Sequence, residues 1–258
     1  MNRNTQEWLH QLLWLADCLS RPTFRNLTDT FEGWASRRGL LRQIQRLEAE
    51  QLIESPGATL EKKIYRLTNT GRLAALGGRE PEAYWNRRWD GRWRLVVFDL
   101  PEAKNKVRVR LRRFLQEQYF GYLQNSVWIT PDPLDPMAKI LQQFTEDVES
   151  LILLEAHQCG GESNAAIVQG AWEFERINCL YSEYLETLEQ LSRMDAEGSL
   201  STREWDRWSR RERSSWFEIM ESDPLLPRSL LPVDYLGVKA WEARKQAARV
   251  LVRRLVKR

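Results

Sequence analysis

Hydrophobic spacing changes its period twice along the chain, and the changes mark the predicted parts. Up to Gln51 the period is helical. Thr5–Leu19 carries Trp8, Leu12, Leu15, Ala16 and Leu19 on one stripe, which Leu9 and Leu13 widen beyond the needs of a single surface helix. A short second helix is predicted over Phe24–Trp34, and Ser36 is a candidate N-cap for a third, Arg37–Gln51. Two short strands, Leu52–Ser55 and Ile64–Thr68, then flank a polar tip at Pro56–Lys63, and Thr68–Arg72 restarts a helix that ends near Gly77-Gly78. Three helices followed by two strands around a basic tip make a winged helix-turn-helix.

Past a linker, Glu80–Arg92, with Trp85, Trp89 and Trp93 in an i, i+4, i+8 series expected to pack head onto centre, the period shortens. Trp93–Phe98 is an apolar run of β-forming residues that stops at Asp99-Leu100-Pro101, the pattern of a buried strand leading into a helix start. Val107, Leu111, Phe114, Leu115 and Tyr119 follow at helical spacing, with Arg108, Arg110, Arg112 and Arg113 turned mostly the other way, and Gly121 is expected to end that helix. Tyr122–Gln124 and Val127–Thr130 read as a hairpin about Asn125-Ser126. A helix over Pro136–Val148 and a strand over Leu151–Leu154 complete β-α-β-β-α-β, a ferredoxin-like order.

Helical spacing then returns for the rest of the chain. After a loop at His157–Asn164, Phe174, Ile177, Tyr181, Tyr184, Leu188 and Leu191 keep one stripe along Ala171–Arg193. Ser201-Thr202-Arg203-Glu204 is a capping box opening a helix with Trp205, Trp208, Trp216, Ile219 and Met220 on its apolar side. Asp223-Pro224 stops it, Leu225–Pro232 is extended, and Gly237–Arg258 is a final helix. The expectation is an α+β protein: a winged helix-turn-helix over 1–79, a linker over 80–92, a ferredoxin-like unit over 93–158 and a helical C-terminal domain over 165–258.

Composition narrows the classes without choosing among them. With 42% hydrophobic and 29% charged residues in 258, the chain is of ordinary globular type, and its twelve Trp imply several cores anchored by large rings. No apolar run approaches the roughly 20 residues of a membrane span. Three cysteines, odd in number and irregularly spaced, and no apolar signal segment place the expected location in a reducing cytoplasm. Net charge is +3, so the distribution of charge matters more than its total.

That distribution is most uneven on the third predicted helix. Leu40, Leu41, Ile44 and Leu47 share one face, Arg38, Arg42, Gln45 and Arg46 project from the other with Arg37 ahead of them, and no acid occurs before Glu48. A basic face on a lone helix is ordinarily a solvated face. The strand pair behind this one favours DNA: Arg and Gln match base edges in the major groove, and Lys62 and Lys63 at the tip suit phosphates.

Other candidate chemistry is thin. Asp99 could hold Mg²⁺ if paired across a dimer axis, or simply cap the helix near Pro101. His157 with Cys159 is a lone H-x-C, short of a zinc set. Cys179 is expected to be buried in its helix. Arg244, Lys245, Arg249, Arg253, Arg254 and Lys257 make the last helix basic, read as a solvated face before a phosphate or CoA clamp. No phosphate-binding glycine loop or nucleophile elbow is present, so no catalytic residue, metal or cofactor is assigned.

Three blocks carry a resemblance. W-x-G-x-W-R-L-V-V-F-D-L-P-E (Trp89, Gly91, Trp93–Glu102), L-R-x-F-L with F-G-Y-L-x-x-S-V-W-I-T-P (Leu111–Leu115, Phe120–Pro131), and D-P-L-L-P-x-x-L-L-P-x-x-Y-L-G with a later alanine (Asp223–Gly237, Ala240) resemble the PaaX-type bacterial repressors over about residues 85–257. In the head, Ile44-Gln45-Arg46-Leu47 resembles that family's L-S-R-L, with Gln45 in place of serine. The resemblance implies a repressor acting as a homodimer on double-stranded DNA at a palindromic operator, released by an acyl-CoA-like effector, with no membrane involvement. Val96–Asp99 and Ser126–Trp128 also resemble Cas2, the CRISPR adaptation protein, where an aspartate matching Asp99 is linked to metal-dependent nuclease activity. The alternatives are thus a Cas2-like nuclease using Asp99, or a ligand-sensing interaction module without DNA binding.

Overall fold

The computed structural model describes residues 41–55, 66–100, 104–144, 150–196 and 202–256. The helices predicted over Thr5–Leu19 and Phe24–Trp34 and the tip at Pro56–Lys63 lie outside them, and with these go Arg37, Arg38, Lys62 and Lys63. The chain forms two compact units that do not follow chain order. The first unites the described residues of Met1–Glu80, Leu180–Met220 and Leu236–Arg258; the second joins Pro81–Cys179 to Glu221–Tyr235.

The early part of the first unit contains α1 (Leu41–Ala49), β1 (Ile53–Glu54), β2 (Arg66–Leu67) and α2 (Asn69–Ala75). The second unit contains α3 (Pro81–Trp85), β3 (Trp93–Asp99), α4 (Asn105–Glu117), β4 (Gly121–Gln124), β5 (Val127–Thr130), α5 (Asp135–Gln142), β6 (Ser150–Ala156) and α6 (Asn164–Ala171). Strands β3 to β6 form one antiparallel sheet in the order β4-β5-β3-β6. Alternation along β3 sends Val96 and Phe98 into a core with Trp128, Leu111, Leu115, Leu141 and Phe144, against which Leu151 and Leu153 of β6 also pack. The opposite face is covered in part. Leu95 pairs with Leu154 and Val97 with Ile152 across it, and Ile152 and Leu154 remain 49% and 46% exposed.

Gly121 does not end α4. The chain turns at Tyr119, whose φ is +62°, and Gly121 opens β4 instead. A Cβ there would fall 2.7 Å from both Ala171 Cβ and the Trp172 ring, so close approach explains this glycine better than a helix cap does. Trp172 Nε1 donates to Tyr119 O (3.1 Å), fixing the turn from the other side. Helix α6 had no expected counterpart; Ser163 caps it by accepting from Ala166 N (3.2 Å).

The predicted linker carries α3, so the three tryptophans share no helix face. Trp85 and Trp93 are both buried within the second unit. Trp85 Nε1 donates to Tyr235 Oη (3.2 Å), and Tyr235 Oη donates to Asp223 Oδ2 (2.5 Å). Asp223 Oδ1 also accepts from Leu225 N (2.8 Å). These partners are the aspartate and tyrosine of the D-P-L-L-P…Y block, which explains the motif as a clasp rather than a ligand site. On β3, buried Arg94 is held by Asp90 (2.6 and 2.8 Å) and Glu155 (3.2 Å). The hydrogen bond from Arg94 pulls the Asp90 carboxyl down from 3.8 to about 2.

Three long helices follow, α7 (Phe174–Ala196), α8 (Thr202–Ser222) and α9 (Gly237–Val256). In the first unit their apolar stripes meet: Tyr184 packs on Trp216 (ring centroids 5.4 Å apart), and Trp216 stacks on Trp241 (5.5 Å). Two sequence expectations are corrected here. Cys179 is exposed, because it lies two positions past Ile177 and so on the far side of the stripe Phe174–Ile177–Tyr181. Arg244 is neither solvated nor available as a clamp. It is buried over the Trp216 ring (4.8 Å) with Nε donating to Glu212 Oε1 (3.1 Å).

Candidate nucleic-acid interface

The candidate interface starts from the two sides of α1. Ile44 and Leu47 are buried, while Arg42, Gln45 and Arg46 are exposed, the division that 3.6-residue spacing demands. Arg42 has no carboxylate partner among the described residues. Arg46 donates from Nε to Glu50 Oε1 (2.6 Å), an exposed i, i+4 pair. Such a pair contributes about 0.3–0.5 kcal/mol, little enough for a phosphate to displace the carboxylate. No acid lies in the first turn of α1, where Arg42 stands.

What holds α1 is the segment behind it. Gln51 adopts φ +55° and turns the chain, after which β1 pairs antiparallel with β2 through Ile53↔Leu67 and Glu54↔Arg66. Arg66 Nε donates to Glu54 Oε1 (2.6 Å) on the exposed side, a cation the spacing argument passed over. Thr68 joins the pieces: its hydroxyl donates to Gln51 O (2.6 Å) and caps α2 by accepting from Gly71 N (2.9 Å). The remainder of the first unit grips α2 from the far end. Trp216 Nε1 donates to Leu76 O (3.1 Å), and Arg79 donates to the carbonyl of Met220. Gly77, at φ +86°, lets the chain pass Met220, where a Cβ would come within 3.0 Å.

The other sequence candidates do not join this site. Asp99 is exposed at the end of β3, opposite Ser150 in register. His157 and Cys159 are exposed, with Cys159 Sγ donating to His157 O (3.4 Å). Among the described residues no three His, Cys, Asp or Glu side chains gather as metal ligands, and no helix is long and apolar enough to cross a membrane.

An outward-facing arginine and glutamine helix, held by a strand pair and a helical bundle in one unit, with an antiparallel sheet and its helices in the other, defines a two-unit α+β protein. Residues 86–168 match the model of the PaaX protein central Cas2-like domain, and residues 172–255 match that of the PaaX-like protein C-terminal domain. The chain belongs to the PaaX family. Among solved structures it is similar to an uncharacterized protein, Rv0674, from Mycobacterium tuberculosis, with 22% identity and a TM-score of 0.47 over 85% of this chain and 83% of that one. A comparison with curated proteins gives no match.

Proposed function

We propose that the protein is a PaaX-type transcriptional repressor that binds a palindromic operator as a homodimer. The observation that carries this reading is the exposed Arg42, Gln45 and Arg46 face of α1 standing on buried Ile44 and Leu47. In this reading residues 1–79 are a winged helix, α1 belongs to the recognition helix that also bears Arg37 and Arg38, and Lys62 and Lys63 at the tip of the wing bind phosphate. The second unit is ferredoxin-like, a reading its β-α-β-β-α-β order and β4-β5-β3-β6 sheet support. An acyl-CoA-like ligand, as the family resemblance implies, releases the DNA.

Titrating operator fragments recovered by pull-down from genomic DNA tests the reading. Arg42→Ala is expected to weaken binding by about 1–3 kcal/mol and to relax preference at one base position. Equal affinity for wild type and variant removes Arg42 from the interface. The same titration repeated with candidate acyl-CoAs tests release.

Dimerisation fits the partly covered sheet face. Leu95, Val97, Ile152 and Leu154 lie together on it, and β6 is an edge strand. Replacing Ile152 and Leu154 with glutamate is expected to give the 30.6 kDa monomer mass by light scattering. An unchanged dimer mass would move the interface elsewhere.

A further inference from the structure

Helix α4 carries charge of one sign over nearly its whole length. Lys104 precedes it, Lys106, Arg108, Arg110, Arg112 and Arg113 lie within it, and its one acid is Glu117 at the last position. Helix α7 shows the ordinary alternative, with both signs present: Glu175, Glu183, Glu186, Glu189 and Asp195 beside Arg176 and Arg193. The cations of α4 are also placed against the helix's own field. Lys104 and Lys106 sit at the N-terminal end, where the macrodipole favours acids, and the first turn holds none. Selection for helix stability alone gives the reverse order, so this arrangement suits an anion that comes from outside.

Two of the guanidinium groups are positioned with no carboxylate partner among the described residues. Arg108 Nη2 donates to Leu100 O (2.7 Å) and Arg112 Nη2 to Asn125 O (3.1 Å), both uncharged carbonyls. Each is thereby fixed while keeping its full charge, which lowers the ordering cost when a phosphate arrives. Lys106 is exposed, and Arg113 has a 79% exposed side chain in a surface pair with Glu117. From Lys106 to Arg113 the helix rises about 10 Å, a length over which duplex DNA presents about six phosphate charges. Glu102 before α4 and Glu146 and Asp147 after α5 lie outside the described residues, while Asp132 stands just before α5 and Asp135 at its start.

We propose that the outer side of α4 is a second, sequence-independent surface for the phosphate backbone of duplex DNA. It lies in the other unit from the α1 site and shares with the repressor reading only its partner. Contacts of α4 with a duplex add affinity without adding specificity.

Fluorescence anisotropy with a 40-base-pair duplex of arbitrary sequence, from 50 to 200 mM salt, tests this on the full chain. Variants at the exposed positions spare the carbonyl-anchored arginines: Lys104→Gln, Lys106→Gln and Arg113→Gln together. Affinity at 50 mM salt should fall about 10-fold or more, and the slope of log K against log salt should become shallower by about 0.9 per contact removed. A charge-matched control, Arg176→Gln, Arg193→Gln and Lys239→Gln, should change neither. Wild-type affinity and slope in the α4 variant, or an equal loss in the control, overturns the proposal. A parallel variant, Arg42→Ala with Arg46→Ala, separates the two sites. If it binds like wild type while the α4 variant fails, the α4 surface stands and the α1 reading falls. The opposite pattern leaves the α1 reading and removes α4, and a wild type that binds no duplex removes both.

Discussion

Glu212→Ala is expected to cost the first unit about 3–5 kcal/mol, because it strips a buried guanidinium of its carboxylate. Glu212 is 0% and Arg244 3% exposed, so water cannot replace the lost partner without opening the bundle. Glu212 Oε1 also accepts from Tyr184 Oη (2.6 Å). Burial first, and the Glu212 charge second, push the Tyr184 hydroxyl well above its usual range, so it stays a donor at any working pH. Urea unfolding followed by circular dichroism measures the loss. Glu212→Met combined with Arg244→Met should recover wild-type stability or exceed it, since a packed apolar pair avoids the desolvation of both charges. A single-variant loss under about 1 kcal/mol would show that solvent reaches the pair.

Gly71→Ala should have the second-largest effect, and it sets two forces against each other. Alanine in a helix is favoured over glycine by about 1 kcal/mol. Here its Cβ would sit 1.8 Å from Leu52 O, a backbone atom with no rotamer to escape into. Overpacking of this kind costs about 1–3 kcal/mol and occasionally more, so the steric term wins. The expected result is a net loss of up to about 2 kcal/mol, with β1 and β2 displaced and α1 no longer held. Gly78→Ala is the internal comparison. It has open space around its Cβ position but a φ of +88°, so it should show only the strain of a left-handed residue, about 1–2 kcal/mol. Thermal unfolding of both variants checks the order; a more stable Gly71→Ala would mean that α2 can move away from Leu52.

Element types were legible because periodicity reports local geometry. Strand β5 spans the predicted Val127–Thr130, and α7, α8 and α9 follow their apolar stripes. The outward placement of Arg42, Gln45 and Arg46 followed from the same spacing. Partners across the fold were not legible. Periodicity gave Arg244 a face of α9 but could not show that Glu212, 32 residues earlier, waited opposite it. Helix α6 escaped because Asn164–Ala171 follows Gly160-Gly161, contains Gly170 and has no polar face to set a period. Gly71 and Gly121 carried no signal of their own; each is required by an atom far along the chain or across a turn, Leu52 O in one case and the Trp172 ring in the other.

The order of manufacture differs from the order of completion. Leu76 and Arg79 precede the entire second unit, yet the groups that fasten them, Trp216 and Met220, are translated about 140 residues later. Trp241 and Arg244, which back Trp216, come later still. A ribosome that has released α1 and α2 has therefore not yet released the material that braces them. The candidate DNA-reading face becomes whole only when α9 arrives, so a chain interrupted before Gly237 retains a finished second unit and an unbraced head.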